Sequence, residues 1–179
     1  MGSIKGLNTA RHLVRFLTGR SLRLVTAESC TAGLVAEKIA RIPGASACFW
    51  GSFVCYTREA KITMLGIGEK LLKEYGLVSG ETARAMALGA LEKSGADAAV
   101  SVTGLAGPGG DGSSVPVGTV WIATALRSGS LPQITVEGTE FHFTGSRNNV
   151  RRKAARKALE QITVQLTKEI DLFKNPVGS

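Results

Sequence analysis

Apolar residues recur along this chain at two spacings, and the switches between them mark out its elements. Ile4, Leu7, Leu13, Val14 and Leu17 fall at roughly helical intervals, which predicts an opening helix within the first twenty residues. Leu24 and Val25 end a short buried strand, and Leu34, Val35, Ile39 and Ile42 then return to helical spacing. Residues 47–56 are rich in aromatic and β-branched types and read as a strand interrupted near Gly51. Helix-forming residues from 58 to 75 predict two short helices divided near Gly66 and Gly68. Ser79 suits the cap of a further helix, with Glu81 in its first turn and Ala83, Met86, Ala87, Ala90 and Leu91 facing inward.

The apolar run 98–102 has the composition of a strand buried on both faces. The glycine-rich stretch 103–112 follows it directly, then two strands over 117–125 and 134–143. The last element is a long helix with Ala155, Leu159, Ile162, Leu166, Ile170 and Phe173 along one face. Helices alternate with strands early and strands run consecutively late. That order predicts a three-layer α/β/α sandwich around a mixed, mostly parallel sheet, as a single domain over 1–179.

Composition narrows the function classes. A chain of 179 residues with 44% apolar content supports one ordinary packed core. No run of eighteen apolar residues predicts a membrane span, and residues 1–6 lack the pattern of a lipid or secretory signal. Cys30, Cys48 and Cys55 are too few for a disulfide framework, and with only His12 and His142 beside them no metal-ligand spacing appears. A reducing cytoplasm is the expected compartment. The formal charge is +8, and a surplus of five positive charges belongs to residues 147–174. That surplus reads as the solvated face of the last helix, or as a basic surface that attracts an anionic ligand.

Two places suit chemistry. Glu28, Ser29, Cys30 and Thr31 stand at a strand-to-helix junction, where Ser29 or Thr31 is placed to cap the helix and free N–H groups favour an anion. A serine that merely caps a helix is the plain alternative. The glycine stretch holds a literal G-x-G-x-x-G at Gly107, Gly109 and Gly112, but it leads to a strand and lacks a P-loop lysine. What remains is a donor-rich loop fit to wrap a phosphate or ribose, with Asp111 expected to face solvent, or else an ordinary long turn. Lys61 follows an apolar strand where burial would lower its pKa enough to make it a base; otherwise it is a surface lysine.

Four stretches carry a resemblance: Thr26-Ala-Glu-Ser-Cys-Thr-Ala-Gly33, Gly51-Ser-Phe-Val-Cys-Tyr-Thr-Arg-Glu-Ala-Lys61, Val100-Ser-Val-Thr-Gly-Leu-Ala-Gly-Pro-Gly-Gly110 with Pro116-Val-Gly118, and Phe143-Thr-Gly-Ser-Arg147 followed by Val150-Arg151. In order and spacing the chain resembles the CinA carboxy-terminal domain family, whose enzymatic members are nicotinamide mononucleotide deamidases. The resemblance implies an amidohydrolase that turns the nucleotide's carboxamide into a carboxylate and releases ammonia, without metal or organic cofactor. It points to Ser29 as nucleophile, with Lys61 as base, directly or through Tyr56. It places Glu28, Cys30, Thr31, Thr103, Gly104, Ala106 and Gly107 among the substrate contacts, and Arg147 on the phosphate. Arg151 is expected to be structural. The likeness further implies a homodimer and a stand-alone domain, without the family's molybdopterin-binding-like module.

Three departures stand out: Ala32 occupies a usual glycine position, Ser146 a usual aspartate, and Cys55 a frequent threonine. Within the enzyme class, Cys30 rivals Ser29 because both would share activation at the helix start. Outside it, the alternatives are a non-catalytic nucleotide-binding module and a DNA-associated protein, the latter requiring steeply salt-dependent affinity. The leading expectation excludes nucleic acid and membrane as partners.

Overall fold

The computed structural model describes residues 2–127 and 133–174; the side chains of Ile4, Leu7, Ile170 and Phe173, expected to face the core, lie outside the described residues. Among the described residues six α-helices and five strands follow the order α1 (Gly2–Thr18), β1 (Leu24–Glu28), α2 (Leu34–Ala40), β2 (Phe49–Val54), α3 (Arg58–Leu65), α4 (Glu69–Tyr75), α5 (Gly80–Ser94), β3 (Ala98–Gly104), β4 (Thr119–Arg127), β5 (Ile134–His142) and α6 (Arg147–Lys174). The sheet order is β2-β1-β3-β4-β5. β1 pairs in parallel with β2 and β3, while β4 is antiparallel to both β3 and β5. The sheet is therefore mixed. Only β4 runs against the other strands, although the ladders divide evenly between parallel and antiparallel.

Alternation along the central strands separates two cores. Leu24, Val100, Val102, Val120 and Ile122 face α1, α2 and α6, where they meet Leu13, Leu17, Val35, Ile39, Leu159 and Ile162. Val25, Ala27, Ala99, Ala123 and Ala125 face the other way and meet Leu65, Leu72, Met86 and Leu91. The second face is lined by alanine, and α5 supplies Ala83, Ala87 and Ala90 to it. Small residues on both sides let this helix lie close to the sheet. Gly89 extends the same economy to α3, since a Cβ there would come within 2.3 Å of the Leu65 carbonyl oxygen.

Ser79 caps α5 as its sequence predicts, accepting from the Thr82 N–H at 3.1 Å. The start of α2 does not follow expectation. Its N-cap is Gly33, in the left-handed region at φ 91°, and neither Ser29 nor Thr31 caps it. The side chain of Glu28 reaches across instead and accepts from the N–H groups of Val35 at 3.0 Å and Ala36 at 2.8 Å. A carboxylate at the positive end of a helix outcompetes a hydroxyl for those donors. Ala32 precedes Gly33 at φ 49°, a conformation that explains why glycine suits this position. Smaller differences concern strand ends. β2 is shorter than expected and runs through Gly51, β3 takes in Thr103 and Gly104, and β4 starts at Thr119.

Candidate active site

The carboxyl ends of the parallel strands β1 and β3 point to the same edge of the sheet, and the candidate site forms there. Ser29 follows β1 directly and is tied to β3 by its N–H, which donates to the Val102 carbonyl at 2.9 Å. Opposite it, Thr57 caps α3 by accepting from the Ala60 N–H at 3.1 Å. One turn into that helix Lys61 points inward and is only 1% exposed. Its Nζ donates to Ser29 Oγ at 2.9 Å and to the Cys55 carbonyl at 3.0 Å. Among the described residues no carboxylate forms an ion pair with it.

Burial without a counter-ion disfavours the ammonium, so the Lys61 pKa is lowered from the ordinary lysine value; desolvation is the main cause. That shift makes the amine easier to deprotonate while it lies in contact with the Ser29 hydroxyl. Cys30, the rival nucleophile, moves the other way: burial pushes its thiol up to about 12, so thiolate is scarce at neutral pH.

A cavity of about 160 Å³ opens beside this pair, lined by Ser29, Cys30, Tyr56, Lys61, Leu77, Val78, Thr103, Gly104, Leu105, Ala106, Asp111 and Arg147. Of the residues expected to act in catalysis or to contact substrate, Glu28, Thr31 and Gly107 do not line it. Glu28 is fully buried under α2 by the two N–H groups it accepts from. Thr31 is buried with its hydroxyl unpartnered, and its carbonyl accepts from Arg151. Gly107 acts through its carbonyl, which takes a hydrogen bond from Arg147 Nη1 at 2.6 Å.

Tyr56 is half exposed and its hydroxyl accepts from Arg147 Nη2 at 2.6 Å, rather than lying between Lys61 and Ser29. Those two groups touch without a relay. Asp111 was expected to face solvent; it is exposed yet also reaches the cavity rim. Its Oδ1 accepts from the Ser113 N–H at 3.0 Å and hydroxyl at 2.5 Å, and these bonds hold its carboxyl below the usual aspartate value. Leu77, Val78 and Leu105 supply apolar wall that the sequence reading missed. The Leu77-Val78 pair directly before the Ser79 cap was the available signal, because two apolar residues in a connection need something to cover. Among the described residues no group of three or more His, Cys, Asp or Glu is arranged to hold a metal ion, and no helix is long and apolar enough to cross a membrane.

Comparison with known proteins shows the family and the fold. A "CinA-like protein" of Akkermansia muciniphila is 51% identical over 124 residues, which are 69% of this chain and 30% of that protein. This chain spans about a third of the length of the curated relatives it matches. A crystal structure of the competence/damage inducible protein CihA from Agrobacterium tumefaciens superposes with a TM-score of 0.83 at 41% identity, over 89% of this chain and 94% of that one. A CinA superfamily protein from Escherichia coli gives 0.83 at 34% identity over 90% of each chain. The CinA C-terminal domain profile matches residues 7–166, and the chain belongs to that family.

Proposed function

We propose that this protein is an amidohydrolase that deamidates nicotinamide mononucleotide to nicotinate mononucleotide and ammonia, with Ser29 as nucleophile and Lys61 as its base. The observation that carries the reading is the 2.9 Å contact between Lys61 Nζ and Ser29 Oγ, with the lysine buried and in no ion pair among the described residues. A neutral amine keeps two protons and a lone pair. One N–H stays donated to the Cys55 carbonyl, and the lone pair accepts the Ser29 hydroxyl proton as Oγ bonds to the amide carbon. The new ammonium then protonates the amide nitrogen as the C–N bond breaks, and ammonia leaves. Water attacks the acyl ester with Lys61 again taking a proton, which returns to Ser29 Oγ as the acid departs.

The cavity favours a small planar amide at its base. Its volume of about 160 Å³ is below the roughly 300–1,000 Å³ of pockets that engulf a whole drug-sized ligand. In this reading the ring and carboxamide lie against Leu77, Val78 and Leu105, which line the cavity, with the ribose phosphate toward Arg147. Arg147 stands at that rim, held by Tyr56 and Gly107 with further N–H donors to offer a phosphate. Tyr56 thereby serves the arginine, and Asp111 offers its second carboxylate oxygen to a sugar hydroxyl. The substrate itself is taken from the family likeness, which the apolar base and basic rim support.

The test is ammonia release from nicotinamide mononucleotide by the purified protein, with Ser29→Ala and Lys61→Ala in parallel. Both substitutions are expected to abolish turnover. Full activity in Ser29→Ala refutes the nucleophile assignment. Binding without turnover in the unsubstituted protein, seen as ligand-induced thermal stabilisation, refutes the enzymatic reading.

A further inference from the structure

The start of a helix is the usual place to look for oxyanion donors after a strand-end serine, but here that end is spent. The N–H groups of Val35 and Ala36 donate to the Glu28 carboxylate, whose negative charge also opposes the positive end of α2. The turn between β1 and α2, next to Ser29, offers other donors for a developing oxyanion. No backbone carbonyl among the described residues accepts the N–H of Cys30 or of Thr31.

Both of those N–H groups end a hydrogen-bonded chain that starts on one guanidinium. Arg151, on the first turns of α6, donates from Nε to the Cys30 carbonyl at 3.0 Å and from Nη2 to the Thr31 carbonyl at 3.0 Å. In a trans peptide the C=O and N–H lie antiparallel on one planar unit. The Cys30 carbonyl shares its unit with the Thr31 N–H, so the arginine pulls electron density away from that donor. The Thr31 carbonyl shares its unit with the Ala32 N–H, which donates to the Ser29 carbonyl at 3.0 Å. That carbonyl in turn belongs to the unit of the Cys30 N–H. Chains of this kind polarise each successive bond. Asn148 steadies the guanidinium by accepting from Nη1 at 3.1 Å, and among the described residues no carboxylate forms an ion pair with it.

We propose that Arg151 is a positioning residue of the hydrolytic reaction: through the Cys30 and Thr31 carbonyls it orients and polarises the two N–H groups that hold the oxyanion formed at Ser29. The proposal rests on the Ser29 reading above. It assigns to α6 two separate duties, with Arg147 at the cavity rim and Arg151 behind the nucleophile's turn. Arg151 does not line the cavity, and its guanidinium bonds are to the Cys30 and Thr31 carbonyls and Asn148. Its loss acts on the tetrahedral species and not on the bound amide, so kcat falls while KM holds.

The experiment compares Arg151→Ala, Arg151→Gln and Arg151→Lys with the unsubstituted protein, kcat being normalised to the Ser29 labelled by a fluorophosphonate. For Arg151→Ala the expected result is a kcat roughly 10- to 100-fold lower, somewhat less than removal of a whole oxyanion donor. KM is expected to stay within about threefold, and the pH profile set by Lys61 to keep its position. Added guanidinium ion should restore part of the lost kcat in Arg151→Ala. Pyridine-3-boronic acid, which places a hydroxyl in the oxyanion position when it bonds to Ser29, should bind more weakly to each variant, while nicotinate mononucleotide binds as before. Should Arg151→Ala fold poorly, Arg151→Gln and Arg151→Lys give the same comparison. Unchanged kcat per labelled serine, or a loss confined to KM, overturns the proposal. Turnover by Ser29→Ala would sink the serine reading instead, so the two failures remain distinct.

Discussion

Replacing Glu28 tests the claim that a buried carboxylate, and not a hydroxyl, starts α2. In Glu28→Gln the amide keeps one acceptor oxygen but turns an NH2 toward a second buried N–H. One charge-assisted hydrogen bond is lost and one donor is left facing another, for about 1.5–3 kcal/mol. In Glu28→Ala both donors, now 3.0 and 2.8 Å from carboxylate oxygens, lose their acceptor. Two such losses make about 3–6 kcal/mol, a large share of the 5–15 kcal/mol that holds a typical domain. For a chain of this size about 2 kcal/mol corresponds to a fall of about 4–8 °C in Tm. Urea unfolding measures the stability, and hydrogen exchange at Val35 and Ala36 reads the two amides directly. The expected order is wild type, Glu28→Gln, Glu28→Ala, with those two amides exchanging fastest in the last. Stability within about 0.5 kcal/mol of wild type in Glu28→Gln would refute the reasoning, because it would show that the carboxylate is not what those donors require.

Lys61→Met should abolish turnover and raise stability at neutral pH, since it removes a buried, unpaired amine of similar length. The sign follows from proton linkage. Burial lowers the folded-state pKa, so between that value and the unfolded value of about 10.4 the unfolded chain binds more protons and wild-type stability rises with pH. The gap between Lys61→Met and wild type, followed by thermal melts, should therefore narrow as pH approaches about 10; a constant gap contradicts it. The acid limb of kcat/KM should likewise lie below the ordinary lysine pKa. Cys30→Ser should keep turnover within about tenfold, because a thiol pushed up to about 12 carries little thiolate at neutral pH; ammonia release measures it, and complete loss argues against serine. Ala32→Gly should stabilise the protein by about 1 kcal/mol, since φ 49° strains a residue with a Cβ. Unchanged denaturation would place that strain elsewhere.

Periodicity carried most of the architecture. Leu24, Val25 and the 98–102 run announced buried strands, although Leu24 and Val25 open β1 instead of ending it, and the consecutive strands after Gly112 announced a mixed sheet. The capping of α5 was legible because Ser79 and Thr82 are neighbours in the chain and the bond is local. The capping of α2 was not, since Glu28 reaches donors seven and eight residues onward, a distance that only the fold of the turn makes short. The contact between Ser29 and Lys61 had the same character. Sequence motifs pointed to both residues, but 2.9 Å between groups 32 positions apart depends on β1, β2 and α3 together. The clamp from Arg151 spans some 120 positions and left no local trace beyond its place in the final motif.

The glycine stretch joins β3 to β4, which are neighbours in the sheet, and its two ends are fastened by Leu105 N–H to the Thr119 carbonyl at 2.8 Å and Gly118 N–H to the Leu105 carbonyl at 2.7 Å. Beyond that clasp, Gly109, Gly110 and Gly112 have open space around them. Changes of length or charge at the tip, Asp111 included, can thus accumulate without disturbing strand register or the lysine–serine contact. Such a loop is a natural place for descendants of this fold to trade one ligand for another while the scaffold beneath stays the same.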